Sequence, residues 1–209
     1  LYELGLFYGK GSNSDGTPNF ALQDSATRNE AATMLIRLMG QESKAKSQLV
    51  AGTISNPFTD VPDWAKGNVA WLYENNYVNG TSAKIYSGSQ TVTAQQFAAL
   101  LLRSLGYSEK AGDFSYANAL SYAASRGLLT SAHEASYAAS FQRAEMADMC
   151  YNALSLKVKG SSYTLQEVLT QKGVFSNRNN SGLSSAKAPK LTRKYANGGK
   201  DNKYYVQEA

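Results

Sequence analysis

The residues with the most chemical potential sit in one short pattern. Ser25-Ala26-Thr27-Arg28-Asn29-Glu30 runs into Ala31-Ala32-Thr33-Met34-Leu35-Ile36-Arg37-Leu38-Met39-Gly40. Thr27 and Glu30 are spaced as a capping box, in which each side chain takes the other residue's backbone N–H. The apolar period behind them predicts a helix over 27–39, stopped at Gly40. Capping explains Thr27 and Glu30 and is worth about 1 kcal/mol of helix stability. It does not explain Arg28. The pattern recurs as Thr93-Ala94-Gln95-Gln96 before the apolar stretch 97–105, and as Gln142-Arg143-Ala144-Glu145 before 146–154.

Other reactive groups are sparse. The only His is His133, in a Tyr/Ser-rich loop, and no nucleophile motif accompanies it. The chain lacks His-Glu-x-x-His, Cys-x-x-Cys and dinucleotide glycine patterns. A glycosidase carboxylate pair can be assembled from almost any Asp and Glu, so that rival stays open. No catalytic residue, cofactor or metal is assigned, and the chain is not read as an enzyme. Ser12-Asn13-Ser14-Asp15-Gly16 lacks the alternating acids and final Glu of a calcium loop and reads as a turn. Cys150 stands alone on an apolar helix face, as a small buried hydrophobe. Fourteen Tyr residues suit either sugar binding or aromatic packing, since Tyr offers a flat apolar face with a polar tip.

Charge placement narrows the partners. The net charge of +5 lies wholly beyond residue 176, where seven basic residues face two acidic ones. The remaining chain holds 14 of each sign, which argues against a nucleic-acid footprint there. No apolar run approaches the roughly 20 residues of a membrane-spanning helix, so membrane insertion is not expected. The chain opens without Met, as though trimmed or processed, so a missing signal segment says nothing against export.

The elements that must position these residues repeat in a fixed order. Residues 1–7 read as the last turns of a helix closing at Gly5. Asn76, Gly127 and Gly173 stand at matching helix ends, each before an apolar pair, as left-handed stops. Residues 41–57 form a polar connector with a helical start. Asp63 is placed to cap a helix from Trp64 to Asn75, and Ile85-Tyr86 reads as a short extended piece. Asp113-Phe114-Ser115-Tyr116 opens a further helix to Arg126, followed by a loop with His133 and Tyr137. A last helix spans 163–172 with Leu165, Val168 and Leu169 on one face. Units of this size recurring in order imply stacked helical repeats and an all-α fold.

The recurring outline is Phe58-x-Asp60-Val61, Trp64-Ala65, a helix, Gly80-Thr81, then Thr27-Arg28-x-Glu30 or Arg143-Ala144-Glu145. It resembles the S-layer homology domain family over residues 1 to 175. The resemblance implies three tandem repeats in a pseudo-threefold arrangement around a central helix bundle. Repeat one is 1–40 without its opening helix, 41–57 a connector, 58–107 repeat two and 108–160 repeat three. A C-terminal helix over 161–176 and a basic flexible tail or linker over 177–209 follow.

The resemblance also implies a function. Such modules hold exported proteins on the bacterial cell surface by binding anionic, often pyruvylated, secondary cell wall polysaccharide in grooves between repeats. The motif Arg is the family's ligand contact. Physics agrees, because a helix start carries free N–H groups and partial positive charge, and Arg adds a planar fork suited to carboxylate. The implied ligand residues are Arg28, Arg143, Thr27, Glu30, Glu145, Trp64, Asp60 and Thr81. Trp64 serves either as a sugar platform or as a core anchor, and Asp60 either as a hydroxyl acceptor or as a backbone bridge. Ala94 and Gln96 depart from the motif, so the repeat-two site should be weak or dead for an anion. A rival reading is an assembly module whose partners are surface-layer proteins. The tail either links to another domain or adds non-specific attraction to an anionic wall.

Overall fold

The computed structural model describes residues 1–2, 4–175, 191–193 and 204–206. Eight α-helices are found among them: α1 (Arg28–Leu38), α2 (Glu42–Val50), α3 (Asp63–Glu74), α4 (Ala94–Ser104), α5 (Ala119–Ser125), α6 (Ser131–Ala139), α7 (Arg143–Leu154) and α8 (Leu165–Gln171). The fold is all-α. Beyond it, Leu191–Arg193 pairs antiparallel with Tyr204–Val206. The rest of the expected tail lies outside the described residues.

The three helices behind the motif build the interior. α1 packs on α3 and α4, and α4 packs on α5 and α7. Leu35, Ile36 and Leu38 of α1, Phe97, Leu101 and Leu102 of α4, and Met149, Cys150 and Ala153 of α7 are fully buried. Each such Leu contributes about 2 kcal/mol by leaving water. Burial pushes the Cys150 thiol well above its ordinary value, so it stays protonated and inert. α8 packs on α7, with Leu165 and Leu169 buried.

The repeated helix stops are real. Gly5, Asn76, Gly127 and Gly173 all take positive φ, between 62° and 86°. At each, two backbone bonds reach back into the preceding turn: Leu6 N–H to Leu1 and Gly5 N–H to Tyr2, then Tyr77 to Leu72 and Asn76 to Tyr73. Leu128 to Ala123 and Val174 to Leu169 complete the set. This pair of hydrogen bonds satisfies the last carbonyls of the preceding turn, which closes a helix at Asn76, Gly127 and Gly173. The apolar residue two beyond each stop is buried: Phe7, Val78, Leu129 and Phe175.

Four local expectations are corrected. Residues 1–7 are turns, although the stop at Gly5 survives. Asp63 is the first helical residue rather than the cap, and its carboxylate pairs with Lys66 at 2.6 Å. Ile85-Tyr86 is not a strand, because the N–H groups of Tyr86 and Ser87 go to Asp60 instead of a ladder. The His133 and Tyr137 segment is helix α6. Its Ala-rich content favours helix, and Tyr137 anchors it by donating to Asp148 Oδ2 at 2.6 Å.

Gly127 tests the stops. A Cβ there would meet only Leu156 at 3.5 Å, an ordinary contact, so the cost is the φ of 86°. Gly127→Ala is expected to lose about 1 kcal/mol, read as a lower denaturation midpoint. An unchanged midpoint would contradict it.

Candidate functional site

Arg28 joins α1 to the loop that follows α3. Its backbone N–H donates to Gln90 O at 2.9 Å, and Asn29 N–H donates to Gly88 O at 2.9 Å. Its guanidinium donates from Nε to Tyr86 O at 3.1 Å and from Nη2 to Asn79 O at 3.0 Å. It also lies 4.7 Å from the centre of the Tyr86 ring, a cation–π contact. Burial pushes the Tyr86 phenol up to about 12, so its hydroxyl remains a donor, here to Arg28 O.

Arg143 repeats that geometry between α7 and the loop before α1. Its backbone N–H donates to Asp24 O at 2.9 Å, and Ala144 N–H to Leu22 O at 3.0 Å. Nε donates to Phe20 O and Nη2 to Tyr8 O, both at 3.0 Å. The guanidinium stands 4.9 Å from the Phe7 ring. One bond goes further: Nη1 donates to Glu30 Oε1 at 2.8 Å. Arg143 is 4% exposed. The acceptors correspond by position, Tyr8 with Asn79, Phe20 with Tyr86, Leu22 with Gly88 and Asp24 with Gln90.

These bonds change the sequence reading of the helix starts. The first N–H groups of α1 and α7 are taken by loop carbonyls, so an anion at either junction must be met by side chains. The remaining motif helix, α4, has Ala94 at the arginine position, and Ala94 is buried. The segment that would form the loop there is α6, whose carbonyls up to Ser136 bond within the helix and its cap.

Two grooves open beside the two arginines. The first, about 310 Å³, is lined by Arg28, Thr81, Tyr86, Gln96, Arg103 and Tyr116 among others. The second, about 350 Å³, includes Tyr8, Lys10, Glu30, Arg37, Trp64 and Arg143. Arg37 corresponds to Arg103, Glu30 to Gln96, Lys10 to Thr81 and Trp64 to Tyr116. α1 is therefore a shared wall, with Arg28 facing one groove and Glu30 and Arg37 facing the other.

The eight candidate residues divide. Arg28 and Thr81 meet in the first groove. Glu30, Arg143 and Trp64 meet in the second, where Trp64 is 55% exposed. Thr27, Asp60 and Glu145 line neither groove. Thr27 and Glu30 form the capping box, with Thr27 N–H to Glu30 Oε2 at 2.8 Å. Glu145 is buried and accepts Gln142 N–H at 2.9 Å. Asp60 accepts Tyr86 N–H at 2.8 Å and Ser87 N–H at 2.7 Å, so it shapes the loop that Arg28 clamps. Thr81 joins Ser87 through their hydroxyls at 2.7 Å.

Arg37, Arg103, Lys10 and Tyr116 escaped the sequence reading. The two arginines carried a signal, since both stand three residues before the glycine that stops their helix. Arg37 grips Glu42 with two bonds of 2.9 and 3.2 Å and covers the Tyr8 ring at 4.5 Å. Arg103 pairs with Glu109 and donates to Tyr77 O at 2.9 Å. Lys10 stands just before the turn at Ser12 to Gly16, and nothing in its spacing marks it.

Two predictions follow from the clamp. Arg143→Ala leaves Glu30 with only the longer Lys10 contact at 3.4 Å and two loop carbonyls without donors. It should cost about 3 kcal/mol, as for a broken buried pair; Arg28→Ala, which breaks no ion pair, should cost about 1 kcal/mol. Equal losses in denaturant unfolding would contradict the distinction. At Asp60, desolvation raises the carboxyl, but the backbone N–H bonds from Tyr86 and Ser87 outweigh it and hold the pKa below 3.8. A lowered folded value means that the stabilisation is complete above the ordinary pKa and lost as pH falls through the folded one. Protection of the Tyr86 and Ser87 amides, measured as exchange relative to the intrinsic rate at each pH, should fall over that acid range in the wild type and be low at all pH in Asp60→Ala. Wild-type protection of these amides in the variant at neutral pH would contradict this.

Comparison with known proteins fits this architecture. Residues 57–98 match the S-layer homology domain, a stretch covering α3, the clamped loop and the start of α4. An endoglucanase from Bacillus sp. (strain KSM-635) is 30% identical over 109 residues, 52% of this chain and 10% of that protein. A cell surface protein of Thermoanaerobacter kivui is 26% identical over 118 residues, 56% of this chain and 14% of that protein. A middle cell wall protein of Brevibacillus brevis is 32% identical over 109 residues, 51% and 10% respectively. The matched region is thus a small part of each of these longer proteins. The likeness to the S-layer homology domain thus rests on residues 57–98, and the similar proteins include ones named for the cell surface and the cell wall.

Proposed function

We propose that this chain is a non-catalytic anchoring module of the bacterial cell surface. It binds anionic secondary cell wall polysaccharide, pyruvylated or not, in the grooves between its helical repeats. Three repeats, over 1–40, 58–107 and 108–160, surround a pseudo-threefold axis with α1, α4 and α7 at the centre. The observation that carries this reading is the recurrence of one clamp at two junctions, each with a groove holding arginines and an exposed aromatic. Trp64 and Tyr116 offer sugar rings an apolar face. Thr81, Asn79 and Gln96 offer hydroxyls partners, and Arg28 offers a carboxylate its fork.

The family match and the names of two relatives support a surface location. The endoglucanase name belongs to a protein of which this chain matches 10%, so it supports a shared module rather than shared catalysis. The basic residues beyond 176 add attraction to an anionic wall or simply lead to another domain.

Sedimentation with purified cell walls tests the reading. The protein should co-sediment with intact walls and be lost from walls stripped of secondary polymer by hydrofluoric acid. Undiminished binding to stripped walls would overturn it and favour a module that binds surface protein instead.

A further inference from the structure

We propose that the exchange of Gln96 for Glu30 at corresponding positions decides which groove takes the anionic group, and that it is the groove of Arg28. The inference deepens the glycan-binding reading and rests on it. In the second groove every cation already has a carboxylate. Arg143 pairs with Glu30 at 2.8 Å, Lys10 with Asp24 at 3.0 Å and Glu30 at 3.4 Å, and Arg37 with Glu42 at 2.9 Å. In the first groove Arg103 pairs with Glu109. Arg28 forms no ion pair among the described residues. Its Nε and Nη2 hold neutral carbonyls, and its face rests on Tyr86.

The cause is one side chain. Glu30 uses Oε2 for its own helix cap and turns Oε1 to Arg143. Gln96 uses its oxygen for the same cap, accepting Thr93 N–H at 3.1 Å, and has no second carboxylate oxygen for Arg28. The first groove thus keeps a net positive charge beside an aromatic wall, while Arg143 is neutralised and serves as a positioning residue. The sequence expectation that Gln96 belongs with the silent Ala94 site is reversed, because Gln96 faces Arg28.

Calorimetric titration of the full chain tests this. The probes are a methyl glycoside bearing a pyruvate ketal and the methyl ester of the same compound. The wild type should bind the acid more tightly than the ester, at one site. Gln96→Glu keeps the helix cap, as Glu30 does in α1, and should lose at least tenfold in acid affinity with ester affinity unchanged. Glu30→Gln keeps its cap, as Gln96 does in α4, and should free Arg143 and add a second acid site. Undiminished acid binding by Gln96→Glu, or unchanged stoichiometry in Glu30→Gln, overturns the inference while leaving glycan binding intact. Binding of neither probe by the wild type overturns both.

Discussion

An irregular loop packed against a helix presents backbone carbonyls that nothing regular can satisfy. Here a guanidinium reaches across each of two junctions and donates to carbonyls twelve or seven residues apart on the neighbouring loop. The same loops cap the first turns of α1 and α7 with their other carbonyls. Buried backbone groups left unpaired would cost about as much as a lost hydrogen bond each. The arginine therefore sets the loop's path, and that path sets the walls of the groove. Where the arginine is absent, at Ala94, the corresponding segment is α6, whose first carbonyls bond along the helix.

Electrostatics then separates two sites that share a shape. A buried cation beside a carboxylate is a stabilising lock only while both partners remain. A cation holding neutral carbonyls keeps its charge for a ligand. Arg143 with Glu30 is the first case and Arg28 the second. The difference arises at position 96, a residue on another helix, which illustrates how a recurring scaffold can be kept while one site is altered.

Much of this was legible in the sequence. The capping boxes, the helix stops at Gly5, Asn76, Gly127 and Gly173, and the buried Cys150 follow from local rules of backbone conformation and apolar period. What local rules do not encode is which junction a side chain faces. Trp64 and Asp60 lie four residues apart, yet Trp64 lines the groove of Arg143 while Asp60 shapes the loop of Arg28. Lys10 and Tyr116 acquire their places only from packing between distant elements. The Tyr and Ser content of α6 resembles a loop, while its alanines and the Tyr137 bond to Asp148 decide for helix.

A crystal structure with a short charged fragment of the wall polymer tests the central claim most directly. The account predicts the sugar against Tyr116 in the first groove, with its carboxylate within hydrogen-bond distance of Arg28 Nη1. A fragment bound outside both grooves, or one whose carboxylate meets Arg143 while Arg28 stays bare, would contradict it.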